Sequence, residues 1–410
     1  MQEKFEKVKR ILEEQNQEDL LKYNVEFKDE LLDDILKTNF EQLNKLYKKT
    51  ITKQEKENIK IDPIGCIDKE KLSNEEKEKY EKIGKEIIKK GQFAVVTAAG
   101  GQGSRLGHNG PKGTFDFGLQ NHKTIFEVLC DGLKKSYKKY NIYVQWYIMT
   151  SEQNNTETIE FFEKNNYFNY PKEKIKFFKQ GQLPVLSKDG KLLLNKDGLI
   201  NKAADGHGGI FIAMRKNKII NDMKDKNIKW ALFLPVDNVL VKMVDAMFLG
   251  ICASKNVQIG GKSIIKAYPE ERVGVFCKEN GKPSVVEYTE ISKEMAEQRD
   301  EKGNLVFGES HINCNMYTID AIEEISKDKL PYHVAIKKIE YLNKDGKVIK
   351  PNEPNAYKFE SFGFDSFKQF DDMVIFRVKR EEEFAPIKNA EGNDSPETAR
   401  RLYIQAMEKN

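Results

Sequence analysis

Gly100, Gly101, Gly103 and Gly107 crowd into one short stretch, Ala99-Gly-Gly-Gln-Gly-Ser-Arg-Leu-Gly107. Two fixed cations accompany them: Arg105 inside the stretch, and Lys112 in the following Gly110-Pro-Lys-Gly113. Glycines let backbone N–H groups come close to phosphate oxygens, and Arg and Lys supply the compensating charge. This is chemistry for holding a nucleoside triphosphate. The spacing separates the loop from two commoner ones. A P-loop ends in Gly-Lys-Ser/Thr, which is absent here. A dinucleotide fingerprint reads G-x-G-x-x-G, whereas Gly101, Gly103 and Gly107 read G-x-G-x-x-x-G. Pro111 also arrives before a helix can settle.

Asp237 adds a carboxylate just beyond the apolar run Trp230–Val236. An Asp at a strand end is placed to hold Mg²⁺ against phosphate oxygens; a helix cap is the plainer alternative, but a triphosphate needs a divalent ion and this is the best-placed carboxylate. Lys388 adds a further cation in Phe384-Ala-Pro-Ile-Lys-Asn389.

The glycine loop and its Pro-Lys-Gly sequel resemble the nucleotide-binding signature of the UDP-sugar pyrophosphorylases, Gly-Gly-x-Gly-Thr-Arg-Leu-Gly followed by Pro-Lys-Gly. Ser104 stands at the Thr position and keeps the hydroxyl. The UDP-N-acetylglucosamine pyrophosphorylase branch is the most similar, and the likeness runs from about Phe93 to about Arg400. It implies that Ala99, Gly100, Gly101, Gln180 and Gly206 bind the nucleotide, with Gln180 reading the uracil. It implies that Arg105, Lys112 and Lys388 act on the phosphates, and that Asp237 binds the metal. The sugar side is implied to comprise His207, Gly274, Glu287, Asn315, Phe362 and Phe364.

His207 departs from the acetylhexosamine pattern, which has Asn there, and looks more like the UDP-glucose and broad-specificity branches. Phe362 and Phe364 look like the acetyl-side pocket. The implied reaction is Mg²⁺-dependent: UTP and N-acetylglucosamine 1-phosphate give UDP-N-acetylglucosamine and pyrophosphate. Alternatives are a glucose 1-phosphate or broad UDP-sugar enzyme, and a nucleotide-sugar binding protein without turnover. A dehydrogenase is disfavoured by the loop spacing.

Several elements must position these residues. Phe93–Ala98, Ile142–Met149, Ile175–Phe178 and Trp230–Val236 read as buried strands, with a helix over Ile159–Phe168. Strands spaced by helices imply an α/β fold with a largely parallel sheet. With the resemblance, the expectation is a Rossmann-like, mixed, mostly parallel nucleotidyltransferase fold of GT-A type. Ligands bind such sheets beyond the strands' carboxyl ends, so the loops after Ala98, Phe178 and Pro235 should converge. Apolar residues three or four apart from Leu31 to Tyr47 predict an amphipathic helix. Asp62-Pro63-Ile-Gly65 breaks the helical pattern, and another helix runs from Asn74 to about Lys90. Ser395-Pro396-Glu397 predicts the start of a closing helix. Three segments are expected: a helical region over 1–90, a catalytic domain over 91–340, and a small region over 341–410 completing the sugar-phosphate site.

The 410 residues suffice for more than one domain, and 33% of them are charged. The net charge of only +4 argues against nucleic acid or an anionic membrane as partner. Five scattered cysteines form no zinc or redox spacing and read as reduced thiols. With no apolar leader at the N-terminus and no membrane-length apolar run, a cytoplasmic protein is expected, monomeric or weakly oligomeric.

Overall fold

The computed structural model describes residues 2–52 and 59–409. The chain divides into two compact units, each discontinuous in sequence. One comprises residues 1–58, 181–209 and 330–362; the other comprises 59–180, 210–329 and 363–410. The sequence suggested three consecutive segments, but contacts group the chain differently. The helix at 74–89 belongs to the sheet-bearing unit, and 341–362 belongs with the N-terminal helices.

The larger unit is built on an eleven-stranded sheet. Its main strands are β1 (Ile67–Asp68), β2 (Phe93–Ala98), β3 (Gln145–Thr150), β4 (Ile175–Lys179), β5 (Trp230–Pro235), β6 (Ile259–Ile265), β7 (Glu309–Thr318) and β8 (Val374–Arg377). They lie in the order β1-β8-β6-β7-β5-β2-β3-β4. Every neighbouring pair on this path is parallel except the two made by β7. The expected mixed, mostly parallel sheet is therefore present. β2 and β3 read as nearly continuous apolar runs because helices cover both faces of such a sheet. Buried Trp146 satisfies its indole N–H on Thr97 Oγ1 at 2.8 Å.

The closing helix forms as its sequence predicts, with Ser395 as N-cap and Pro396 at its first position. Two other expectations are revised. The Leu31–Tyr47 pattern is two helices, Asp29–Lys37 and Phe40–Ile51, because Asn39 accepts a bond from Gln42 N and starts a new one. The helix over Ile159–Phe168 instead spans Asn155–Lys164; beyond it Asn166, Tyr167 and Phe168 take left-handed backbone angles. Burial of the Tyr167 and Phe168 rings overrides the helical pattern there. The proline break at Asp62-Pro63 carries a short strand, Ile61–Pro63, at a sheet edge where a missing N–H is tolerated.

The smaller unit packs its N-terminal helices on strand residues of its own. Val8, Leu12, Leu31, Leu32 and Ile35 form one core with Leu186, Leu194 and Phe359. Its largest sheet has three strands, with Ala356–Ser361 in the middle.

In the larger unit, the helices Asn74–Lys89 and Ala246–Ser254 touch backbone to backbone. A Cβ on Gly84 would sit 1.8 Å from Ala246 O, and one on Gly250 would sit 1.8 Å from Tyr80 O. Backbone cannot yield as a side chain can. Gly84→Ala is expected to destabilise the protein by about 1–3 kcal/mol, visible as a lowered Tm in thermal unfolding.

Candidate functional site

β5, β2, β3 and β4 are adjacent and parallel, so the loops after them leave one edge of the sheet. The glycine loop begins where β2 ends. It folds back on itself, with Gly103 N donating to Gly110 O at 2.9 Å and Lys112 N to Gly101 O at 3.1 Å. Asn154, fully buried, holds the loop's entry: its Nδ2 donates to Ala99 O at 3.0 Å and to Gly101 O at 3.3 Å. Gly107 turns the chain at φ +70°. Arg105 and Gly101 are exposed, and a Cβ on Gly101 would meet only open space.

Gln180 follows β4, its N–H donating to Thr150 O at 2.9 Å. Its side chain lies against the loop, because a Cβ on Gly100 would fall 2.7 Å from Gln180 Nε2. Asp237 follows β5. Lys112 Nζ is 3.1 Å from Asp237 Oδ2, and both side chains are largely covered, at 16% and 20% exposure. The loops expected to converge do so.

Lys388 reaches the same edge from the C-terminal segment. Ile387 N donates to Asp237 O at 2.9 Å, so Lys388 begins one residue from that contact. Its Nζ is 3.8 Å from Asp394 Oδ2. Burial pushes the Asp394 carboxyl above its ordinary value, against the opposing pull of Lys388 and Arg380.

A second cluster in the same unit gathers Gly274, Glu287 and Asn315. A Cβ on Gly274 would sit 3.2 Å from Glu287 Oε1. His311 links the group: its backbone N donates to Gly274 O at 2.8 Å, and its Nε2 lies 3.1 Å from Asn315 Oδ1. Residues four apart in a regular strand are about 13 Å apart along it. The contact forms because β7 bulges: Gly261 pairs with Asn315 and Ser263 with His311, and Asn313 between them takes φ +55°. The Phe364 ring is edge-on to His311 at 6.0 Å.

The remaining residues belong to the smaller unit. Gly206, at φ +87°, packs where a Cβ would lie 2.3 Å from Ser361 O. Ser361 N and Oγ both donate to Asp205 O, at 2.8 and 3.0 Å. The Phe362 ring stacks with His207 at 5.6 Å and with His333 at 4.6 Å. Phe362 and Phe364 are thus not partners on one strand. The strand ends at Ser361, and Gly363–Gln369 is a tight helical turn in the other unit.

Asn154, His311 and Asp394 escaped recognition as contributors. His311 and Asn313 carried a signal, since an Asn inside an apolar strand suits a left-handed bulge residue. Asn154 carried none, because its partners are backbone carbonyls.

Residues 39–394 match the protein family described as UTP--glucose-1-phosphate uridylyltransferase. The chain belongs to this family. Among relatives, it is 38% identical over 361 residues to the UDP-N-acetylglucosamine pyrophosphorylase of Saccharomyces cerevisiae, covering 85% of this chain and 76% of that protein. It is 35% identical over 403 residues to UDP-N-acetylglucosamine diphosphorylase 2 of Arabidopsis thaliana, covering 93% of this chain and 78% of the relative. Among solved structures, the UDP-N-acetylglucosamine pyrophosphorylase of Trypanosoma brucei in complex with inhibitor superimposes with a TM-score of 0.81 at 28% identity. That match covers 99% of this chain and 85% of the other. For a uridylyltransferase-family chain, the parallel strand ends with their glycine loop, paired Lys and Asp, and second Lys form an edge suited to polyphosphate.

The contact between Gly100 and Gln180 makes one position informative. Gly100→Ala is expected to displace the Gln180 amide and weaken UTP binding by roughly tenfold, the worth of one or two lost hydrogen bonds. Isothermal titration with UTP reads this directly.

Proposed function

We propose that this protein is a uridylyltransferase making UDP-N-acetylglucosamine and pyrophosphate from UTP and N-acetylglucosamine 1-phosphate. The observation carrying the reading is the meeting of the glycine loop, Lys112, Asp237 and Lys388 at one sheet edge in a chain of this family. The relatives' names supply the substrates.

The sugar phosphate oxygen attacks the α-phosphorus in line. A bond forms between that oxygen and phosphorus, and the bond from the α-phosphorus to the bridging β-oxygen breaks, releasing pyrophosphate. The attacking oxygen is already ionised at neutral pH, so no general base is needed. Catalysis is then alignment and charge neutralisation. Ala99, Gly100 and Gly101 would offer backbone to the nucleotide, Gln180 would read the base, and Gly206 would let the backbone approach. Arg105 and Lys112 would hold the leaving pyrophosphate, and Lys388 would meet the reacting phosphates. On the sugar side, Glu287 and Asn315 of the larger unit would bond hydroxyls beside Gly274, with Phe364 near them; within the smaller unit, His207 and Phe362 are the residues to which the resemblance gives a sugar-binding role.

Among the described residues no three His, Cys, Asp or Glu side chains are grouped as a metal cage. Mg²⁺ fits such a site, because it is commonly held by one or two carboxylates with substrate phosphates and water. Asp237 is the residue that would hold it, and the bound ion would supply charge neutralisation at the phosphates. Among the described residues no helix is long and apolar enough to cross a membrane. A cytoplasmic enzyme, monomeric or weakly oligomeric and without nucleic-acid partners, is part of the same proposal.

Pyrophosphate release should require UTP, the sugar 1-phosphate and a divalent metal together. Turnover that persists undiminished in excess chelator would remove the metal from the scheme, and no release with any sugar 1-phosphate would sink the enzymatic reading.

His207 favours a second reading, a preference for glucose 1-phosphate. An acetyl pocket leaves polar groups unpaired when glucose binds, a penalty of several kcal/mol on the order of a lost buried hydrogen bond or two. His207→Asn should raise the N-acetylglucosamine to glucose ratio of kcat/KM. A tenfold preference of the unmodified protein for glucose 1-phosphate would put the second reading first.

A further inference from the structure

Lys262 has no solvent exposure, although it carries a charge in the middle of β6. Its Nζ lies 2.6 Å from Asp245 Oδ2 and also pairs with Glu383, whose carboxylate is equally buried. Burial opposes the charge on this amine, but Asp245 and Glu383 outweigh it and hold its pKa above the ordinary lysine value. Lys242 Nζ, 3.6 Å from Glu383 Oε1, brings the group to two cations and two anions. Such clusters add little net stability, because desolvation consumes most of the Coulombic gain. Geometry is what they can supply.

The two carboxylates belong to the two segments that carry Asp237 and Lys388. Asp245 ends the loop that begins after β5 with Asp237, and it caps the following helix by accepting from Phe248 N at 3.1 Å. Glu383 opens the segment leading to Lys388. Between these anchors the segments are zipped together. Asn238 Nδ2 donates to Glu383 O at 2.7 Å, and Asn238 Oδ1 accepts from Ala385 N at 2.9 Å. Val239 N donates to Ala385 O at 3.3 Å, and Ile387 N to Asp237 O at 2.9 Å.

We propose that Lys262 is a positioning residue: through Asp245 and Glu383 it ties both segments to one point on the sheet and fixes Lys388 relative to Asp237. Asn238 transmits the constraint as the clamp between the segments. This rests on the uridylyltransferase reading, in which Asp237 and Lys388 act on the same phosphates. Neither Lys262 nor Asn238 touches substrate in this scheme.

The test is a double-mutant cycle on kcat with saturating UTP and N-acetylglucosamine 1-phosphate. Lys262→Met would strand two buried carboxylates, so the variant used is Lys262→Met/Asp245→Asn/Glu383→Gln, which removes the charges together and keeps a helix cap. It is expected to lower kcat on the order of 10-fold to 100-fold while leaving the KM for UTP within about threefold, as for a misplaced catalytic group. In a Lys388→Ala background the same change should cost less than about threefold, because the group being positioned is gone. Asn238→Ala, which leaves every charge in place, should show the same loss and the same non-additivity, and it decides the matter if the triple variant does not fold. Wild-type kcat in the folded variants, or a full multiplicative loss in the Lys388→Ala background, overturns the proposal. Failure of the uridylyltransferase reading would look different, since the unmodified protein would then release no pyrophosphate.

Discussion

Parallel neighbours in a sheet end at the same edge, and the candidate site depends on that constraint. β5, β2, β3 and β4 run side by side, with Ala98 level with both Pro235 and Met149, and Thr150 level with Lys179. The residues that follow are delivered within reach of one another whatever their distance in sequence. Lys112 and Asp237 meet across 125 positions for this reason. An antiparallel arrangement of the same strands would send half of these loops to the opposite edge. On the path from β1 to β4 the strand with antiparallel neighbours, β7, serves another purpose: its bulge turns His311 and Asn315 toward each other.

Charge is arranged on this edge with little surplus. Lys112 faces Asp237, and Lys388 faces Asp394. Lys388 and Asp394, 3.8 Å apart, are both partly exposed, and a pair of that kind contributes only about 0–1 kcal/mol, so in the proposed reaction Lys388 can exchange Asp394 for a phosphate at little cost. Glycine serves the same end from the backbone side. Gly100 makes room for Gln180, while Gly101 faces open space that nothing in the protein fills. In each case the protein holds polar groups in place without committing them to strong internal bonds.

Much of this was legible because the responsible signals are local. Apolar runs marked β2, β3, β4 and β5, and Ser395-Pro396 marked a helix start that formed as read. The glycine loop and Asp237 were marked by residue type and by adjacency to strands, and Lys388 by the resemblance of its Phe384–Asn389 motif to the family's. Other features were hidden because their cause is non-local. Asn39 interrupts an amphipathic pattern that otherwise reads as one helix, and Tyr167 and Phe168 leave the helix because burial rewards a left-handed turn. The division into units depends on which segments share a core: 181–209 leaves the sheet between β4 and β5 and packs with the N-terminal helices. Lys262 looks in sequence like any charged strand residue, and only the tertiary fold shows it to be wholly buried between two carboxylates.

The central claim is that catalysis arises from charges assembled by converging loops rather than from proton transfer. The most direct measurement is kcat for Lys112→Ala, Asp237→Ala and the double variant, each checked for an unchanged circular dichroism spectrum. The account predicts that each single variant loses roughly 10²-fold or more, as for other preorganised charge stabilisers. It also predicts that the double variant loses less than the product of the two, because the pair acts on the same phosphates. Wild-type turnover in both folded single variants would contradict it.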